Sequence, residues 1–232
     1  MENSRYIPTP KDVERYRKLR ALALELNSRI TRTIPREALE QTAEALGFRE
    51  DGVVRYRNEN NLDIHADCCF YDWRDENGLN VVERYRAAHP AEPGSIDELL
   101  LDSYCKARFS IFGLEFAIPD AGVYCRDMMN GEELFIMDIG LSNSLSKEPM
   151  LHAGRIVPIG GFWMTTGAGM PISDEALDRA EKLVLGEEPF PFPVGVLRAC
   201  IEAGDDEHVA YRIPNPGPPK RRLRMKWKRR RW

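Results

Sequence analysis

No apolar run in this 232-residue chain approaches the ~20 residues that a membrane-spanning helix requires. The opening, MENSRYIPTPKDVERYRK, lacks the apolar stretch of a secretory signal, so a cytoplasmic location is expected. Cysteine is scarce. Cys68, Cys69, Cys105, Cys125 and Cys200 form an odd set without a CxxC spacing, which points to reduced thiols rather than a disulfide framework. There is no internal repeat, no G-x-x-x-x-G-K-[ST] phosphate loop and no G-x-S-x-G nucleophile elbow. What is present is ordinary in bulk: 43% apolar, 9% aromatic and 30% charged residues exclude a collagen-like or wholly disordered chain. The length suits one large domain or two small ones.

Charge is distributed unevenly. Of 33 Lys and Arg, nine lie in KRRLRMKWKRRRW (220–232), which contains none of the 37 acids. Residues 1–219 therefore carry 24 basic against 37 acidic groups, a net charge of −13. Pro214, Pro216, Gly217, Pro218 and Pro219 precede the basic stretch as a semi-rigid spacer that neither helix nor central strand accommodates. Too poor in apolar residues to build a core, the basic stretch is expected to be disordered by itself.

The first half reads as helix. Thr9-Pro10 supplies a capping hydroxyl before a first-turn proline, and Val13, Tyr16, Leu19, Leu22, Ala23 and Leu26 recur at helical spacing to about residue 28. Pro35 opens a second helix with Ala38, Leu39, Thr42, Ala43 and Leu46 on one face, closed by Gly47. Leu62 to Trp73 and Val81 to Tyr85 give two more, and Ser95-Ile96-Asp97-Glu98 is a capping box opening a fifth that ends near Ala107.

Near Arg108 the period changes to two. Phe112, Leu114, Phe116 and Ile118 alternate, while Phe109 and Ile111 fall out of phase and predict a bulge near Ile111. Asn130-Gly131 joins strands at 123–129 and 132–139 as a hairpin, and Gly160-Gly161 joins 152–159 to 162–168. Five short strands in succession predict an antiparallel meander curled into a small barrel. Ser173 caps a helix over 174–185, and PFPFP (189–193) precedes a last helix over 194–203. The expected class is α+β: a helical region (1–107), a barrel-like region (108–172), C-terminal helices (173–213), and the spacer with its disordered basic tail (214–232). Leu22, Leu39, Trp73, Tyr85, Leu100, Phe112, Leu114, Phe135, Ile136, Ile156, Phe162 and Leu177 are the expected core.

Three blocks in order, FYDWRDENGLNVVERYRAAHP, ARFSIFGLEFAIPDAGVYCRDMMNGEELFIMDIGLSNSL and RIVPIGGFWMTTGAGMPI, carry a family signal. Within them Arg126-Asp127, Asn130 to Glu133, Asp138 and Ser142 follow a recurring sheet pattern. Residues from about 70 to 171 resemble a domain of uncharacterised bacterial proteins that bear a zinc-binding SEC-C motif. The resemblance implies a fold and no reaction. The SEC-C cysteine cluster itself is absent here, so zinc binding is not implied.

Chemistry-bearing residues are few. Asp63, His65, Asp67, Cys68 and Cys69 are the densest set of potential ligands, but no second cluster completes a four-ligand zinc site and Cys69 shares an apolar face with Ala66 and Trp73. His65, His89, His152 and His208 occur singly. Asp127, Glu132, Glu133 and Asp138 on the 123–139 hairpin offer paired carboxylates for acid–base work, though a hairpin rim is often charged merely for solubility. Neither a metal, a cofactor nor a catalytic set is expected.

The strongest signal is the basic stretch. Lys220, Arg221, Arg222, Arg224, Lys226, Lys228, Arg229, Arg230 and Arg231 can neutralise phosphates, while Trp227 and Trp232 can stack on unpaired bases. The expected function is a non-enzymatic binding protein whose tail contacts nucleic acid, RNA or ribosome, without sequence specificity. The alternatives are an adaptor whose tail docks on an acidic protein surface, or an enzyme using the hairpin carboxylates.

Overall fold

The computed structural model describes residues 6–145, 150–187 and 189–208. Helix α1 (Pro10–Thr31) starts from the Thr9–Asp12 capping box and turns Tyr16, Leu19, Ala23, Leu26 and Ile30 inward at three- and four-residue steps. Helix α2 (Arg36–Leu46) ends on Gly47, whose φ of 78° is the left-handed conformation glycine tolerates. A short hairpin, β1 (Arg49–Glu50) and β2 (Val53–Val54), follows. Helices α3 (Glu59–Tyr71), α4 (Val81–Ala88) and α5 (Ile96–Tyr104) begin at Asn58, Asn80 and Ser95, each accepting a bond from the amide three residues on. The reciprocal half of the capping box expected at Ser95 does not form, because Glu98 takes the N–H of Gly94 instead, at 2.7 Å.

Strands β3 (Arg108–Ile118), β4 (Gly122–Asp127), β5 (Glu133–Met137), β6 (Met150–Ile159) and β7 (Phe162–Ile172) close into a barrel of order β3-β4-β5-β7-β6. The purely antiparallel meander expected from sequence is corrected here, since β5 and β7 pair in parallel at Ile136–Trp163 and Met137–Met164. After β5 the chain passes through α6 (Ile139–Ser144) and returns beside β3. Strand β7 then fills the gap between β6 and β5. The result is a five-stranded Greek-key barrel, the plan of the OB-fold.

The bulge in β3 lies at Leu114–Phe116, not at Ile111. Both faces of this strand are covered in its first half, whereas Glu115 and Phe116 are exposed. Phe112 and Leu114 fill the barrel with Val123, Cys125, Leu134, Ile136 and Ile156. Ile111 packs outside it and Phe109 meets Phe192 edge-on, with ring centroids 5.9 Å apart. An apolar residue on each face looks, in sequence, like a slipped phase.

Two helical layers cover the barrel. On one side α1, α4 and α5 pack through Leu19, Leu26, Val82 and Leu100 against Phe135, Met137 and Met164. On the other, α2 and α3 join α7 (Asp174–Leu185) and α8 (Phe192–Ala203) through Leu46, Ile64, Ala176, Val196 and Leu197 against Ala153, Met170 and Ile172. A 3₁₀ turn, Asp205–His208, follows α8. Of the expected core, Leu22 and Leu177 are half-buried and Leu39 is 39% exposed. Helix α2 buries Ala38, Thr42, Ala43 and Leu46 instead, leaving Leu39 on the edge of that face.

Candidate functional site

The hairpin carboxylates do not converge. Asp127 is buried, accepting from the Ser110 hydroxyl at 2.5 Å and the Met129 N–H at 3.0 Å. Arg108 lies 3.4 Å from it, donates to Glu132 at 2.7 Å, and stacks its guanidinium 4.6 Å from the Trp163 ring. Glu133 pairs with Arg126 at 2.7 Å. Asp138, beyond the far end of β5, caps α6 through the Leu141 N–H and accepts from the Thr165 hydroxyl. Only Asp127 and Glu132 share a neighbour, and that neighbour is a cation. Each of these carboxylates has a structural partner.

The potential metal ligands likewise point to separate partners. His65 meets the Tyr56 hydroxyl through Nδ1 at 2.6 Å and the Leu39 carbonyl through Nε2 at 3.0 Å. A carbonyl only accepts, so Nε2 carries the proton and Nδ1 accepts from Tyr56. Burial lowers the His65 pKa. Cys69 donates to the Ala38 carbonyl, and burial pushes its thiol up to about 11. All five cysteines are free. Among the described residues no three His, Cys, Asp or Glu side chains are grouped to hold a metal.

His152 pairs with Phe112 across β3 and β6, with its ring against Gly154 and Gly169. A Cβ on Gly169 would lie 2.6 Å from His152 Nε2, so glycine makes the space for this imidazole. Burial lowers its pKa to about 4, outweighing the opposing pull of Asp138.

The constellation that sequence reading missed surrounds Arg155. This buried guanidinium donates to Asp67 at 2.9 Å and Asp72 at 2.7 Å, and lies 4.7 Å from the Tyr71 ring. It bolts the C-terminal half of α3 to β6. Residues 83 and 88 positions apart form it, so no local spacing signals it.

Two open grooves flank α8. One, of about 640 Å³, lies between α2 and α8 and includes Glu37, Glu40, Glu44, Phe190 and Arg198. The other, of about 470 Å³, is bordered by Glu175, Asp178, Arg179 and Glu202. The tail residues from Lys220 to Trp232 lie outside the described residues. No described helix is long and apolar enough to cross a membrane.

Residues 10–182 match a family of unknown function, DUF7986. The chain belongs to that family. The match spans α1 through most of α7 and so takes in the whole barrel, extending well beyond residues 70–171. Helix α8 and the tail fall outside the DUF7986 match. No curated protein and no solved structure matches the chain.

Proposed function

We propose that this DUF7986 protein is a cytoplasmic binding protein whose folded body carries a basic tail for nucleic-acid contact, RNA or ribosome, without sequence specificity. The observation that carries the reading is charge segregation: nine cations and two tryptophans within residues 220–232, against a net −13 in residues 1–219. Phosphate neutralisation and indole stacking need those two residue types interleaved. OB-fold barrels often bind oligonucleotides across their second and third strands. Here the corresponding face, on β4 and β5, is overlaid by Tyr6, whose ring lies 5.7 Å from Phe135 and whose carbonyl accepts from Tyr124 at 2.6 Å. That cover favours the tail over the barrel as the contact. Kinship with the SEC-C-bearing bacterial proteins belongs to the same reading, with the basic stretch in place of the zinc module.

The test is binding of a single-stranded RNA by intact protein across a salt series. With five to nine phosphates neutralised at ~0.7 each, log affinity should fall against log salt with a slope of roughly −4 to −6. Salt-insensitive or absent binding at low ionic strength defeats the reading. An adaptor role, the tail seated on acidic protein, would then replace it.

A further inference from the structure

We infer that the α2–α8 groove is a docking surface for the chain's own basic stretch, residues 220–232, so that body and nucleic acid compete for one tail. Three observations carry this. The first is the wall of the groove. Glu37, Glu40 and Glu44 recur at steps of three and four along α2, which sets them in one stripe on its exposed side. Their present partners are weak competitors, because Arg36 on Glu40 and Arg49 on Glu44 are solvent-exposed pairs, the second at 3.6 Å. Across the groove Arg198 is already engaged, bonded to Glu202 and the Ala45 carbonyl and laid 5.1 Å over Phe190. A basic peptide thus meets three carboxylates on one side and the Arg198–Phe190 stack on the other, and the nine cations of residues 220–232 match the carboxylates.

The second observation is volume. About 640 Å³ accommodates several side chains, within the range of specific ligand sites.

The third is reach. Asp205 and Asp206, just after α8, are clamped to the body: Asp205 accepts from Ser173 N–H and hydroxyl, and Asp206 from Asn61 at 2.9 Å. The chain therefore leaves from a fixed point at the C-terminal end of α8. Phe190, just before α8, and Arg198, near its middle, border the groove, so the far end of the groove lies about one helix length from this point. The twelve residues of α8 span about 18 Å at ~1.5 Å each. Residues 209–219 number eleven, enough for about 34 Å at ~3.1 Å per residue in a proline-rich chain, so residue 220 can turn back to the acidic stripe.

Zero-length carbodiimide coupling of the full chain, at low protein concentration and low salt, tests the inference. Lys220, Lys226 and Lys228 should link to Glu37, Glu40 or Glu44 within one molecule, and the yield should drop several-fold at high salt. Tail lysines linked mainly to other carboxylates, to a second copy, or to nothing overturn it. In a second arm, Glu37→Gln/Glu40→Gln/Glu44→Gln, three exposed changes that leave the core intact, should raise affinity for single-stranded RNA about tenfold in the full chain. Because the links form without nucleic acid, docking and nucleic-acid binding fail separately. Links that persist unchanged under saturating RNA sink the competition.

Discussion

Arg155 brings a buried cation to a buried carboxylate, Asp67, and a partly buried one, Asp72, and a cluster of this kind is costly to break from one side. Arg155→Met leaves buried Asp67 and partly buried Asp72 without their cation, and should lower unfolding free energy by about 3–5 kcal/mol in urea titrations. Replacing all three by apolar residues of similar size should recover most of that loss, because desolvation then no longer opposes burial. A loss below about 1 kcal/mol for Arg155→Met would show that the cluster does not hold α3 to the barrel. Gly122 is a second position where one atom matters. A Cβ there would sit 2.1 Å from the Ile136 carbonyl oxygen, which is backbone of the paired strand and cannot swing aside. Gly122→Ala should therefore cost about 1–3 kcal/mol through overpacking, read from the same titrations.

At the scale of the element, the β3–β6–β7 wall makes the barrel acid-sensitive through His152. Its pKa is about 4 in the folded protein against 6.5 for the free side chain, so the unfolded chain binds more protons between those values. Stability should be flat above about pH 6.5 and fall as pH drops toward 4, with His152 accounting for up to about 3 kcal/mol. His65, also lowered by burial at the α2–α3 contact, acts in the same direction. Asp72 acts in the opposite sense at lower pH. Burial raises its pKa, so its protonated form gives relative stability below the unfolded carboxylate range that is lost as pH rises. Urea unfolding at pH 7.5, 6 and 5 should show the fall, and His152→Gln should flatten it. An unchanged slope in that variant would assign the effect elsewhere.

For the whole molecule, the fold reaches beyond the family match. Helix α8 buries Val194, Val196, Leu197, Ala199, Cys200 and Ile201, which complete the layer over Ala153, Met170 and Ile172. A chain ending at residue 182 should lose cooperative thermal unfolding, because that layer would be left open to water. A chain ending at residue 213 should keep the melting temperature of the full protein while losing the proposed salt-sensitive RNA binding. It should also elute later from an anion exchanger, since removal of nine cations exposes the acidity of the body.

The local features were legible in advance for a local reason. Thr9, Ser95 and Ser173 each cap the helix they precede by bonding an amide within three residues, whereas the caps Asn58 and Asn80 emerged only in the structure. Gly47 and Gly204 close α2 and α8 because left-handed backbone suits a residue without a Cβ. Strand periodicity likewise marked the barrel segments, and the sign and placement of charge marked the tail. Pairing was different. Alternation specifies which residues face inward but not which strand lies alongside, so β5 beside β7 and β6 beside β3 were decided only when α6 carried the chain across the barrel. The same holds for Leu39 at the edge of its helix, for Arg155 between Asp67 and Asp72, and for His65 held by Tyr56 and a carbonyl of α2. These contacts join residues distant in sequence, and their energy comes from burial and hydrogen bonds that exist only once the layers are packed.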